Sequence, residues 1–170
     1  MTETRRLRSH SYKAAGVVFT DGRLILAGYQ PLKANPFISG IGGSKEDGET
    51  YKETALREMV EELFEVSATP ALLAELKAFI SHSPRKVLRG SYIRLVYTFE
   101  DLIDMLAMIK KHMLTTPLYS KFPLTLMNLL FDRLLKGNPE ISHLCLLPVV
   151  KHEAGTPFVV PYFVKEMEDY

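Results

Sequence analysis

The stretch from Gly42 to Glu65 constrains this chain more than any other part of it. It joins a glycine-rich turn, Gly42-Gly43, to a helix with one densely acidic face. Glu58, Glu61 and Glu62 stand at i, i+3 and i+4, the spacing that brings side chains together on one side of a helix. At roughly 100° per residue Glu65 falls in the same arc, while Leu56, Met59, Val60 and Leu63 fall on the other side. Like charges so placed destabilise a helix by roughly a few tenths of a kcal/mol per pair. An isolated E-x-x-E-E is ordinarily a solvated surface. The Gly-Gly pair, the spaced Glu49 and the Arg57-Glu58 pair point instead to a divalent cation, because hard Mg²⁺ or Mn²⁺ prefers carboxylate and carbonyl oxygens.

The rest of the chain reads as α/β. Ala14 to Thr20 and Arg23 to Tyr29 are β-prone runs flanking Asp21-Gly22, a strong hairpin signal. Phe37 to Ile41 predicts a short strand delivering the chain into the Gly-Gly turn, and Asp47-Gly48 a further turn. Thr50 and Glu53 form a T-x-x-E capping box that starts the acidic helix, which is expected to run to about Val66. Leu72 to Ser81 and Ser91 to Glu100 read as strands, separated by the basic stretch from His82 to Gly90. Helices are expected over Asp101 to Met113, with Leu102, Met105, Leu106 and Ile109 on one side, and over Pro123 to Lys136. Ile141 to Val150 reads as a strand, and Thr156 to Tyr170 as an edge strand or packed arm. Residues 1–11 are expected to be a flexible basic segment and 12–170 a single domain.

These residues resemble the Nudix hydrolase family. Its box pattern, G-x5-E-x7-R-E-U-x-E-E-x-G-U with U apolar, is matched without a gap by Gly43, Glu49, Arg57, Glu58, Met59, Glu61 and Glu62. Phe64 stands where the pattern has glycine, and Glu65 where it has an apolar residue. Both departures lie past the glutamates, at the helix exit, where glycine supplies a left-handed cap cheaply. The resemblance implies an α/β/α sandwich around a mixed sheet. The helical stretch 101–136 exceeds what compact members carry, and its role is packing, a dimer contact in a homodimer, or a lid over the substrate.

The resemblance also implies a function: Mg²⁺-dependent hydrolysis of a diphosphate linked to another moiety, usually in a nucleotide, with Mn²⁺ as a possible substitute. It makes Glu58, Glu61 and Glu62 metal ligands, with the Gly42 carbonyl as a further oxygen, and assigns catalysis to Glu58, Glu61 and Arg57. Arg57 is expected to point away from the centre of the acidic arc and to act in orientation. Glu49 is either a water-mediated ligand or substrate contact, or the partner that holds Arg57. The general base is Glu58 or a carboxylate outside the box, Glu140 or Glu100; His82 is a candidate phosphate contact or acid. Arg85, Lys86 and Arg89 are candidates for holding outer phosphates. Two other readings stay open: decapping of capped RNA, with the basic segments tracking the phosphate backbone, and a non-catalytic module that binds a nucleotide or a protein.

Composition adds a few boundaries. The net charge of +1 excludes a strongly basic chain, but eight of the twenty acidic residues lie between positions 46 and 65. One cysteine, Cys145, in the apolar run Leu144 to Leu147, excludes an internal disulfide framework and reads as a buried strand residue. No apolar run has the length to cross a membrane, the N-terminus lacks the apolar core of a secretory signal, and the expected location is cytoplasmic.

Overall fold

The computed structural model describes residues 11–33, 37–79, 85–112 and 115–149. The expected basic N-terminal segment up to residue 10, His82 and the C-terminal arm lie outside these residues. Among the described residues, seven strands and four helices form a mixed α/β architecture with two sheets. The first sheet contains β1 (Ala14–Phe19), β4 (Ile41–Ser44), β5 (Arg85–Arg89) and β6 (Tyr92–Tyr97) in the order β4-β1-β6-β5. The second contains β2 (Leu24–Gln30), β3 (Phe37–Ser39) and β7 (His143–Pro148) in the order β3-β2-β7. The helices are α1 (Tyr51–Phe64), α2 (Pro70–Phe79), α3 (Phe99–His112) and α4 (Leu126–Phe131).

The Asp21-Gly22 turn forms as the sequence predicts, but it does not make an ordinary hairpin. Gly22 takes φ 85°, and the Asp21 carboxylate accepts the N–H groups of Arg23 and Leu24, each at 2.8 Å. Only Thr20 and Ile25 then bridge, and β1 and β2 part into different sheets. The reason is that both edges of β1 are taken, by β4 antiparallel and by β6 parallel. β2 pairs instead with β3 and β7. Alternation along β1 therefore serves two cores: Ala15, Val17 and Phe19 enter the larger one with the helices, and Val18 enters a smaller one with Ile25 and Ala27.

Three expectations are corrected. Residues 72 to 79 are helical, not extended. No β-branched residue occurs from Ala71 to Phe79, and Leu72 and Leu76, four apart, are buried together. Thr69 starts α2, its hydroxyl accepting the Leu72 N–H at 3.2 Å, with Pro70 at the first helical position. Residues 85–89 belong to a strand and not a loop: β5 pairs with β6, and the turn between them is Gly90-Ser91, with Gly90 at φ 56°. Glu100, expected at a strand end, lies exposed in the first turn of α3.

The last two helices divide in outcome. α3 buries Leu102, Met105, Leu106 and Ile109 as its spacing predicts. α4 is only six residues long, capped at Thr125 and ending at Asp132. Its continuation fails because the Leu134 N–H turns across to the Leu118 carbonyl at 2.8 Å. Among the described residues no helix is long and apolar enough to cross a membrane.

The reassigned helix yields a test. Leu76 is wholly buried against the main core, so Leu76→Ala should cost about 2–5 kcal/mol in urea unfolding. Ala74→Gly, in the same helix interior, should cost about 1 kcal/mol; a strand at this position would respond to the glycine through its pairing and not through helix propensity.

Candidate metal and phosphate site

The site begins where α1 packs on β1 and β4. Its N-terminus is fixed by the expected capping box: the Thr50 hydroxyl accepts the Glu53 N–H at 3.3 Å, and the Glu53 carboxylate accepts the Thr50 N–H at 2.8 Å. Leu56, Met59, Val60 and Leu63 are buried in the core, which turns the opposite helix face toward the cavity wall. Glu58, Glu61 and Glu62 leave the helix on that face.

Gly42 and Gly43 are not a turn. They are strand residues of β4, paired with Gly16 and Ala15 of β1. Close approach is what demands glycine here. A Cβ on Gly42 would come within 2.1 Å of the Tyr92 hydroxyl, and one on Gly43 within 2.3 Å of the Glu58 carboxyl carbon. The bare edge of β4 thus gives the Glu58 carboxylate its space. The Gly42 N–H donates to Oε2 of Glu62 at 3.0 Å, so the backbone holds a second carboxylate from the same strand.

Arg57 lies under the acidic arc, contrary to the expectation that it points away. Its Nε donates to Oε1 of Glu49 at 2.6 Å and its Nη2 to Oε2 of Glu49 at 3.1 Å, a bidentate pair. Nη1 donates to Glu58 at 2.9 Å and Glu61 at 3.0 Å, and Nη2 also to the Ser44 carbonyl at 2.9 Å. Glu49 in turn accepts the Thr54 hydroxyl at 2.7 Å and the Glu46 N–H at 3.0 Å. Of the two roles open to Glu49, the geometry matches the partner that holds Arg57.

Charge responds to these surroundings. The Arg57 guanidinium holds the Glu49 carboxyl down at about 2. Burial pushes Glu58 up, against the pull of Arg57. Glu62 is pushed well above the ordinary glutamate range, first by burial and then by the Glu140 and Glu58 charges. A carboxylate so destabilised in its charged form is one that a cation would relieve.

Two adjoining cavities open here, of about 490 and about 460 Å³, and Gln30, Lys33, Glu58 and Glu140 line both. Glu61, Glu62 and Glu65 line the first; Gly42, Gly43 and Tyr92 line the second. Of the candidate carboxylates outside the box, Glu140 therefore reaches the site and Glu100 does not line it. Neither Glu49 nor Lys86 lines these cavities; Lys86 lies over the Tyr51 ring, 4.4 Å from its centroid. Arg85 and Arg89 end β5, and their side chains lie outside the described residues. Lys33, which stands 3.7 Å from Glu140, was not singled out by sequence reasoning because a lone lysine in a loop has no pattern to mark it.

The donor set fits a hard divalent cation: carboxylates, a glycine-lined strand edge and a buried glutamate facing open space. As the side chains stand, no three His, Cys, Asp or Glu among the described residues converge closely enough to hold an ion. Glu58 and Glu61 are turned to Arg57, and Glu62 to the Gly42 N–H. Coordination would take the first two partly from the guanidinium.

At the helix exit Phe64 remains helical and fully buried, and the left-handed residue is Glu65, at φ 52° and ψ 41°. The cap thus falls one residue beyond the glycine of the box pattern. Phe64 stacks on Phe122, with ring centroids 4.9 Å apart.

No family model matches the chain, and no curated protein matches it. It is similar to solved structures of Nudix hydrolases. With the Nitrosomonas europaea enzyme it shares 16% identity at a TM-score of 0.43, over 94% of this chain and 88% of that one. With a Nudix-family hydrolase from Clostridium perfringens the values are 13% and 0.39, over 93% and 94%. A bifunctional NMN adenylyltransferase/ADP-ribose pyrophosphatase from Francisella tularensis, complexed with AMP and a Mn ion, is 13% identical at a TM-score of 0.39. The likeness there covers 92% of this chain and only 36% of that one. These likenesses concern the fold, and what the site does rests on the residues described above.

Two opposed pH effects follow from the carboxylates. The folded chain keeps a proton on Glu62 where the unfolded chain has released it, so this contribution to stability is full below the ordinary glutamate range and is lost as pH rises through the folded pKa. Glu49 acts oppositely: its contribution is present above the ordinary range and disappears as pH falls toward about 2. Melting temperatures measured without metal should therefore peak in mildly acid solution, and Glu62→Gln should flatten the decline on the alkaline side. Relief of the left-handed Glu65 gives a separate check: Glu65→Gly should stabilise the fold by roughly 1 kcal/mol.

Proposed function

We propose that this chain hydrolyses the diphosphate linkage of a nucleotide, or of a nucleoside diphosphate joined to another moiety, with Mg²⁺ held by Glu58, Glu61 and Glu62. The single observation that carries this reading is Glu62: a buried carboxylate lining an open cavity with Glu58 and Glu140, its proton affinity raised first by burial and then by those two charges. Structural surface carboxylates have no such environment. The Gly42 carbonyl is the proposed further donor, and Mn²⁺ the proposed substitute.

Mg²⁺ bound there would neutralise phosphate oxygens and lower the pKa of a coordinated water. The chain's own residues do the rest. Arg57, anchored by Glu49 and Ser44, orients the Glu58 and Glu61 carboxylates. Lys33, exposed at the wall shared by both cavities, offers a cation to the phosphate groups. Water attacks phosphorus, its proton passes to a carboxylate, and the P–O anhydride bond breaks as the other phosphate leaves. Glu58 and Glu140, which line both cavities, are the carboxylates placed for that transfer.

A hydrolysis screen with and without Mg²⁺, with products identified by mass, tests the reading. Nucleoside triphosphates, oxidised nucleotides, ADP-ribose, dinucleoside polyphosphates, inositol pyrophosphates and a capped RNA form its panel. Metal-dependent cleavage of a diphosphate linkage is the expected result. Cleavage of the capped RNA alone would move the assignment to decapping, and no cleavage by folded protein would move it to a binding module. Glu62→Gln should lower turnover by more than about 100-fold, beyond the loss expected for a partner outside the coordination shell. Because protons compete with a cation for Glu58 and Glu62, both raised above the ordinary glutamate range, Mg²⁺ should raise the melting temperature more in mildly alkaline than in mildly acid solution.

A further inference from the structure

The departure of Phe64 from the box pattern leaves a question of hydrogen bonding. The last carbonyls of a helix have no partner within it, and a glycine turn ordinarily satisfies some of them. Here the Glu65 N–H reaches only the Glu61 carbonyl, at 2.7 Å. The carbonyls of Glu62, Leu63 and Phe64 are satisfied from a distant part of the chain. Nη1 of Arg133 donates to Leu63 O at 2.6 Å, and Nη2 to Glu62 O at 3.0 Å. The Thr116 hydroxyl donates to Phe64 O at 2.6 Å. Residues following α3 have therefore taken over the task of the missing glycine.

Arg133 does more than cap. Its Nη2 also donates to the Ile141 carbonyl at 2.8 Å, and its Nη1 contacts the Tyr119 hydroxyl at 3.1 Å. Tyr119 is itself fixed by donating to the Leu129 carbonyl at 2.6 Å. One guanidinium thus grips the backbone of Glu62 and the residue next to Glu140. Those two glutamates line the same cavity from two separate segments of the chain. The hydrogen bond between Glu62 and the Gly42 N–H then extends the connection to β4.

We propose that Arg133 is a positioning residue, which holds the last turn of α1 and the Ile141 backbone together so that Glu62 and Glu140 are set across the cavity from each other. This rests on the metal-site reading above for its consequence, though not for its geometry. A guanidinium suits the task because its planar fork offers several donors at fixed angles, where an ammonium offers a point charge.

The test separates positioning from mere stability. Arg133→Met removes the grip. Leu129→Ala destabilises the same segment through the core while leaving the carbonyls of α1 and Ile141 bonded. Two quantities are read on the full chain: exchange of the Gly42 amide by NMR, which reports whether Glu62 still accepts its hydrogen bond, and Mn²⁺ binding by titration in the absence of substrate.

Arg133→Met should speed Gly42 exchange relative to its strand neighbours and weaken Mn²⁺ about tenfold or more, whereas Leu129→Ala should do neither beyond its effect on global stability. If Arg133→Met fails to fold, Arg133→Lys is read the same way and should show a smaller loss in the same direction. Unchanged Gly42 exchange in the arginine variants, or an equal change in Leu129→Ala, would overturn the proposal. A wild-type chain that binds no Mn²⁺, but whose Gly42 exchange still depends on Arg133, would sink the metal reading and leave the positioning role standing.

Discussion

A buried arginine hydrogen-bonded to three carboxylates organises this molecule. Arg57 is mostly hidden from solvent, and a charge so placed is tolerated only when it is paired and hydrogen-bonded. Glu49 meets that need by a bidentate pair and is held in turn by Thr54 and the Glu46 backbone. The loop before α1 is thereby tied to the second turn of the helix. Through the Ser44 carbonyl the same guanidinium joins α1 to β4. The electrostatic consequence reaches further. Glu58 and Glu61 would repel each other on an unsupported helix, and Arg57 offsets that repulsion by donating to both. The acidic face is kept folded by a cation of the chain's own, within reach of the place where an external one would sit.

Backbone closeness is the second constraint. Gly16 and Gly42 face each other across β1 and β4, and a Cβ on either would collide with the Tyr92 hydroxyl within about the same short distance, 2.3 Å for Gly16 and 2.1 Å for Gly42. Gly43 leaves its space to Glu58 instead. Three glycines in extended strands therefore do work usually credited to turns. They bring a hydrogen-bond donor, the Gly42 N–H, and an uncovered strand edge up against the acidic face of α1.

How much of this could be read beforehand follows from the range of the interactions involved. The capping box, the division of α1 into acidic and apolar faces, and α3 with its buried stripe were legible because each depends on residues a few positions apart. The separation of β1 and β2 was not, since it depends on β1 having both edges filled by strands distant in sequence. α2 is hard to read locally because its apolar residues suit strand and helix alike, and the absence of β-branched residues is a local sign of a helix. The course of the Arg57 side chain was misjudged from helix position alone, which places a Cβ but says little about where a long flexible side chain ends. Glu140 was visible only as one of two candidates, and no local pattern favoured it over Glu100.

Phe64, where the box pattern has glycine, shows how a helix end can be satisfied without that residue. Glycine at that position would end the helix locally, with its backbone satisfying the last carbonyls. Phenylalanine instead fills the core, stacked on Phe122 and tilted against Tyr119 at a centroid distance of 5.9 Å. That burial is worth about 1.5–3 kcal/mol, enough to outweigh the roughly 1–2 kcal/mol of placing Glu65 in the left-handed region. The exchange succeeds only if other donors reach the orphaned carbonyls, and the segment after α3 brings them as Thr116 and Arg133. Phe64 and the segment after α3 are therefore one structural fact: the segment that supplies its aromatic partners also supplies the hydrogen bonds that the end of α1 requires.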